Sequence, residues 1–346
     1  MTTPLKALLV GCGSISRAWL NGCKTIAGLE IVGLVDLVSE AAQNRAEEFG
    51  LTEALIETDL ASALQTAQPD IVFNCTIPEA HLDVSLAGLA HGCHVLSEKP
   101  LADSMASARE IVAAADQAGR LFAVIQNRRF NPNIRRLSRF LRQGGLGPLT
   151  TVNSDFYLGA HFGGFRDRME HVLLLDMAIH TFDQARLICG ADPVSVYCRE
   201  WNPAGSWYDH DASAIAVFEM ENGLVYTYRG SWCAEGVNTS WDADWRVVGR
   251  NGSASWDGET TFQAEIVAET GGFRSELAEV EIPPLDSADP VALSTGQGHS
   301  GLIADFVACV RTGRTPETVG HDNIKSLAMV FGAIESAQKG GPVSID

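Results

Sequence analysis

Five apolar runs, "LKALLVG", "EIVGLVD", "DIVFNCT", "HVLSEK" and "LFAVIQN", recur through the first 127 residues with Ala-rich, helix-spaced segments between them. Runs that are apolar at nearly every position suit strands covered on both faces, which is the condition of a parallel sheet. Alternation of such strands with helices leaves few folds open, and the one it predicts is a doubly wound α/β domain. "DSMASAREIVAAADQAG" is the clearest helix, with Asp103 placed to cap its start and Gly119 to end it.

The pattern changes after residue 127. "NPNIRRLSRFLRQGGLG" reads as a basic helix stopped by glycines. From 193 to about 283 the chain alternates in strand fashion, and Asn222-Gly223 and Asn251-Gly252 signal hairpins. This predicts a large open, mostly antiparallel sheet with helices on one face. Leu224, Tyr226, Tyr228 and Trp232 fall on one face of a strand, as core or as a sheet-to-sheet subunit contact. "NIKSLAMVFGAIESAQKGG" has helical spacing. The expected domains are 1–127 for a dinucleotide and 128–346 for substrate and oligomerisation, with the last helix, 321–339, able to pack back on the first domain.

The chain's 346 residues carry a formal charge of -18, which repels phosphate backbones and anionic lipid, so neither nucleic acid nor membrane is an expected partner. No apolar stretch approaches the ~18 residues of a membrane span, and no signal-peptide pattern opens the chain. The eight cysteines show no CxxC and read as reduced, buried thiols of a cytoplasmic protein. The nine histidines and the acidic residues lack metal-ligand spacing, so no metal site is expected.

"LLVGCGSIS" gives Gly11, Gly13 and Ser16 at G-x-G-x-x-S spacing after the first strand. The first glycine permits a tight turn, the second lets backbone approach a pyrophosphate, and the third position needs a small side chain. The helix-start amides at Ser14 and Ile15 then face the phosphates. Asp36 ends the second strand, where a carboxylate should bond the adenosine ribose hydroxyls. Leu37 and Val38 follow it and offer no Arg for a 2′-phosphate, so NAD is expected in preference to NADP. Thr76, Pro78 and His81 leave the sheet's carboxyl edge, the usual ligand crevice, and are expected cofactor contacts.

"GCGSIS", Asp36, "NCTIPEAH", "SEKP", "QNRRFNP" and "LLLDMAIHTFD" stand in the order seen in the Gfo/Idh/MocA oxidoreductases, which the chain resembles along nearly its whole length. That family includes glucose–fructose oxidoreductase and inositol dehydrogenase. The resemblance implies an NAD(P)-binding Rossmann domain, a C-terminal α/β domain with an open sheet, a dimer or tetramer built through that sheet, and oxidation of a secondary alcohol on a sugar or cyclitol. By position it makes Lys99 the catalytic lysine and Asp176 and His180 its partners, and it implies a cis bond before Pro100.

The chemistry of those residue types agrees. D-x-x-x-H on a helix puts Asp176 and His180 on one face. Alcohol oxidation needs a base for the hydroxyl proton, for which His180 is suited. Lys99 can donate to the same oxygen and stabilise developing alkoxide charge. Which of the two takes the proton stays open. Glu98 is expected to position Lys99 or touch the cofactor, and Gln126 to lie near the nicotinamide.

"HVLLLD" departs from the Gly-rich run many relatives carry before that Asp. The preceding "DFYLGAHFGGFRDRMEH" therefore suggests an individual substrate pocket, with Tyr157, His161 and Arg166 as hydroxyl ligands, or Arg166 as a carboxylate ligand. Two other readings stay open: NAD-dependent glycoside cleavage through transient oxidation, and a non-enzymatic, ligand-sensing NAD-binding regulator.

Overall fold

The computed structural model describes residues 4–292 and 296–345 and divides into two compact units, 1–130 with 290–324 and 131–289 with 325–346. The first alternates β1 (Leu5–Val10), α1 (Ser16–Cys23), β2 (Leu29–Val35), α2 (Ser39–Phe49), β3 (Leu55–Glu57), α3 (Leu60–Ala67), β4 (Ile71–Asn74), α4 (His81–Ala90), β5 (His94–Ser97), α5 (Met105–Ala118) and β6 (Phe122–Val124). Its sheet has the order β3-β2-β1-β4-β5-β6, parallel throughout. The order reverses between β1 and β4, which places the ligand crevice at their carboxyl ends. Leu8, Leu9, Val72, Phe73, Val95 and Leu96 are wholly buried, as continuous apolar strands require.

Two local expectations are corrected here. The cap of α5 is Ser104, whose side chain accepts from Ser107 N–H at 3.1 Å in extended backbone, and Asp103 lies one residue too early. A short strand, β3, joins the sheet beside β2, where "ALIETD" is too brief to stand out as an apolar run.

The second unit opens with α6 (Pro132–Arg142), then β7 (Leu149–Tyr157) and, after a π turn over Leu173–Ala178, α7 (Ile179–Cys189). Strands β8 (Pro193–Trp201), β9 (Ser213–Met220), β10 (Val225–Ser231), β11 (Asp244–Gly249), β12 (Gly252–Trp256), β13 (Phe262–Glu269) and β14 (Glu276–Glu279) follow. The chain ends through α8 (Gly298–Thr312), α9 (Gly320–Lys339) and β15 (Val343–Ser344). The nine-stranded sheet runs β14-β13-β12-β11-β7-β10-β9-β8-β15 and is antiparallel except between β7 and β10.

Both hairpins form. Asn222 and Gly223 take positive φ between β9 and β10. In the second, Gly249 pairs with Gly252, so Arg250-Asn251 make the turn rather than Asn251-Gly252.

Tyr226 and Tyr228 are core. Phe182 of α7 meets them edge-on, at 6.3 and 5.2 Å between centroids, and meets Phe218 at 5.0 Å. On β8 and β9 the alternate parity leaves Tyr197, Trp201, Ile215 and Val217 exposed instead.

Residues 290–324 group with the first unit rather than with the rest of the expected 128–346 domain. Their attachment is physical: α8 lies on α1, where Gly22 leaves room for Ser300 and Ile303. Arg311 donates to the carbonyls of Ala27 and Gly28 at 2.8 and 2.7 Å, and Val124 N–H donates to Thr318. Among the described residues no helix is long and apolar enough to cross a membrane.

Candidate active site

The loop after β1 is built as a dinucleotide turn needs. Gly11 has φ +92, and a Cβ there would lie 2.6 Å from the carbonyl oxygen of Cys75, so no other residue fits. At Gly13 a Cβ would meet nothing within 4 Å, which leaves backbone open to a ligand. Ser16 departs from Gly or Ala at the third position, yet it is fully buried because its Oγ donates to the Gly13 carbonyl at 2.6 Å. Ser14 and Ile15 are exposed at the helix start.

Asp36 receives backbone donors on both oxygens, Cys12 N–H at 2.7 Å and Val38 N–H at 2.9 Å. Each oxygen keeps lone-pair capacity for a ribose hydroxyl. These features fit an adenosine dinucleotide.

Past β4, Thr76 Oγ1 donates to Asn74 Oδ1 at 2.6 Å, and Pro78 starts a short 3-10 turn. His81 has no exposed surface. Its ring nitrogens lie 2.8 Å from the Pro100 carbonyl and 3.2 Å from the Thr76 carbonyl, and burial holds its pKa below the ordinary value. A neutral ring carries one N–H, so His81 donates to one of these two carbonyls and is held at the crevice by that bond. Gln126, just past β6, is buried, and neither of its amide atoms has a hydrogen-bond partner among the described residues. A buried amide of this kind is completed by a bound water or ligand group.

Lys99 leaves the carboxyl end of β5, half-buried, and the Lys99–Pro100 peptide is cis. Its backbone N–H donates to Glu98 Oε2 at 3.0 Å. Glu98 is buried and also receives Trp19 Nε1–H at 2.7 Å, with His299 Nε2 at 3.9 Å. Burial raises the Glu98 pKa, but His299, Trp19 and the Lys99 charge outweigh it and hold it below the usual carboxylate range. His299 is in turn 3.4 Å from Asn127 Nδ2. Thus Glu98 is placed as a brace for Lys99.

In the second unit Asp176 sits in the π turn and His180 in the first turn of α7. A π turn widens the helix locally and is common at functional sites. Four residues still bring the chain back to nearly the same face. His180 is buried, at 8% exposure. Asp176 Oδ2 accepts Arg166 Nε–H at 2.6 Å. The Arg166 guanidinium also lies over the rings of Phe162 and Phe165, at 4.9 and 4.7 Å. Tyr157 ends β7, where burial raises its pKa. His161 stacks on Trp207 at 3.7 Å between centroids and bonds Glu235 at 2.8 Å. It is 61% exposed and stands apart as a surface contact.

Three residues were not singled out from the sequence. Trp19 shares a helical face with Ser16, which was a usable signal. His299 comes from a remote helix, and Arg45, which holds the glycine loop from α2, has no motif around it.

Residues 5–126 match the family model described as the oxidoreductase family with an NAD-binding Rossmann fold, and residues 134–255 match the GFO/IDH/MocA C-terminal domain. An uncharacterised protein of Sinorhizobium fredii is 30% identical, over 98% of this chain and 95% of its own length. The D-apiose dehydrogenase of Paraburkholderia graminis is 28% identical, over 98% of this chain and 89% of its own. Among solved structures, an oxidoreductase from Agrobacterium radiobacter in complex with NAD+, L-tartaric acid and magnesium has a TM-score of 0.85. It is 21% identical and covers 99% of each chain.

Proposed function

This chain belongs to the GFO/IDH/MocA family of oxidoreductases, and we propose that it oxidises a secondary alcohol of a sugar, sugar derivative or cyclitol, with Lys99, Asp176 and His180 as the catalytic residues. The observation that carries this reading is the pair of prepared carboxylates. Glu98 fixes the backbone of Lys99 at the sheet's carboxyl edge, and Arg166 fixes Asp176 one helical turn before His180. When bound, NAD supplies the hydride acceptor. Either His180 takes the hydroxyl proton while the Lys99 ammonium stabilises alkoxide character at the same oxygen, or Lys99 takes it as the neutral amine and the ammonium so formed then stabilises that oxygen. Asp176 orients the reacting hydroxyl. Gly11, Gly13, Ser14, Ile15, Asp36, Thr76, Pro78 and Gln126 hold the dinucleotide, with His81 and Glu98 bracing them.

The name of the Paraburkholderia graminis relative supports a sugar substrate. A hydroxyl-rich ligand suits the donor and acceptor pair of Arg166 and Asp176 with Tyr157 nearby in sequence. We place the protein in the cytoplasm, where its eight free cysteines would persist as thiols. We also read the exposed face carrying Tyr197, Trp201, Ile215 and Val217 as the surface of a homodimer or homotetramer. Light scattering of Val217→Lys tests this: a wild-type oligomer should become a smaller species, and an unchanged mass rejects it.

The test of function is a panel of pentoses, hexoses, cyclitols and glycosides, with NAD and NADP in parallel, followed at 340 nm. Steady accumulation of NADH with a sugar or cyclitol is the expected result. A rise that returns to baseline as a glycoside is split assigns transient oxidation instead. No change with any compound would reject the dehydrogenase reading.

A further inference from the structure

The glycine loop carries a charge arrangement that its spacing does not announce. Arg45 of α2 is 6% exposed. Its Nη2 donates to the carbonyls of Cys12 and Gly13 at 3.2 and 3.0 Å, and its Nη1 to Glu48. Glu48 also takes Arg17 Nε–H from the first turn of α1, at 2.7 Å to Oε1 and 3.1 Å to Oε2. One carboxylate is therefore bracketed by two guanidinium groups, one beneath the loop and one on the surface.

Asp36 reaches the same loop residue from its other side, since its Oδ2 accepts the Cys12 N–H. Cys12 thus touches the ribose-binding carboxylate through its N–H and the Arg45 guanidinium through its C=O. "DLV" after the second strand contains no arginine, yet the fold brings two arginines to this corner from other elements. Arg17 is more than half exposed and shares its carboxylate partner with the buried Arg45. The Arg17 guanidinium, left unpaired, would suit a phosphate.

We propose that Glu48 is a specificity residue for the dinucleotide: by pairing Arg17, beside the Arg45 brace, it withholds the positive charge a 2′-phosphate would need, and leaves Asp36 to select the free 2′-hydroxyl of NAD. The proposal rests on the reading of the first unit as the NAD site. A 2′-phosphate on this corner meets two carboxylates, Asp36 and Glu48, and two guanidinium groups already engaged. Arg45 stays a loop brace in either case, because two backbone carbonyls hold it.

The experiment is fluorescence titration of the full chain with NADH and with NADPH, for wild type, Glu48→Gln, and Glu48→Gln with Arg17→Ala. Gln keeps the shape and an oxygen acceptor for Arg17 and removes only the charge. The expected result is a fall of about tenfold in the ratio of NADPH to NADH dissociation constants for Glu48→Gln, about the effect of one nearby charge in a partly screened site. Added Arg17→Ala should restore most of the wild-type ratio, and raised salt should shrink the effect. An unchanged ratio overturns the proposal, as does a parallel change in both affinities, which would make Glu48 a loop-folding residue. A wild-type chain that binds neither dinucleotide removes the cofactor reading, and this proposal with it.

Discussion

Glu98 in the first unit and Asp176 in the second are held in opposite ways. Glu98 is buried and takes an indole N–H, a backbone N–H and the neighbourhood of His299. Asp176 takes the guanidinium of Arg166, which comes from a loop with two exposed phenylalanines and two glycines at positive φ. The first arrangement is rigid and dry, as suits a partner that does not vary. The second is adjustable, as suits the part of an enzyme family that changes from substrate to substrate. Damage to the first unit should therefore appear as lost cofactor binding, and damage to the second as altered substrate kinetics or lost local packing.

The largest effect expected is on stability. Phe182→Ala removes the ring that Phe218, Tyr226 and Tyr228 surround and should cost about 3–5 kcal/mol in urea unfolding. NADH affinity of the folded fraction should stay within about twofold, because the cavity opens in the other unit; a much larger loss would break the separation of roles. Next is Gly11→Val, which sets a side chain against the Cys75 backbone in a left-handed conformation. NADH affinity should fall about a hundredfold, or ~2.7 kcal/mol. Retained affinity would remove this loop from the cofactor site.

Arg166→Gln should raise KM for the best sugar of the panel about tenfold, the cost of one charged hydrogen bond, and lower kcat less. Equal losses in NADH affinity would contradict its place on the substrate side.

The smallest effects are in pH dependence, and their signs are opposite. Glu98 has a folded pKa below its unfolded value, so the stability it contributes is present above the unfolded pKa and lost as pH falls through the folded one. His299→Ala removes an influence that opposes burial, so the folded pKa moves up toward the unfolded one, and the acid loss in the variant should be smaller and complete at a higher pH. His171 has a folded pKa raised by its hydrogen bond to Glu200, so its contribution is full below the unfolded pKa and lost as pH rises through the folded one. Calorimetry across pH 2–9 should show these opposed trends, and His171→Gln should flatten the alkaline one. A His299→Ala profile that overlays wild type would remove His299 from the Glu98 brace.

The same contrast governs what the sequence disclosed. The cofactor half was legible because its parts lie at strand ends in a fixed order: Gly11, Gly13, Asp36 and Lys99 each follow an apolar run. The sheet's burial pattern was legible from period two, but its free face was not. Aromatic and β-branched residues occur on both parities, and only pairing across strands assigns Tyr226 inward and Tyr197 outward. Asp103 and Ser104 can both cap a helix, and the extended backbone at Ser104 decides between them. Arg45 and Glu48 pair locally at i,i+3 on α2, but His299's hold on Glu98, Arg45's on the glycine loop and Glu48's on Arg17 join different elements, a relation that no local spacing encodes. The return of residues 290–324 to the first unit was hidden for the same reason, since an amphipathic helix names its buried face and not its neighbour.

The most direct test is Lys99→Ala, assayed for turnover on the best sugar and for NADH affinity in the same preparation. The account predicts a fall in kcat of about a thousandfold with NADH affinity near that of wild type. Unchanged turnover would contradict it.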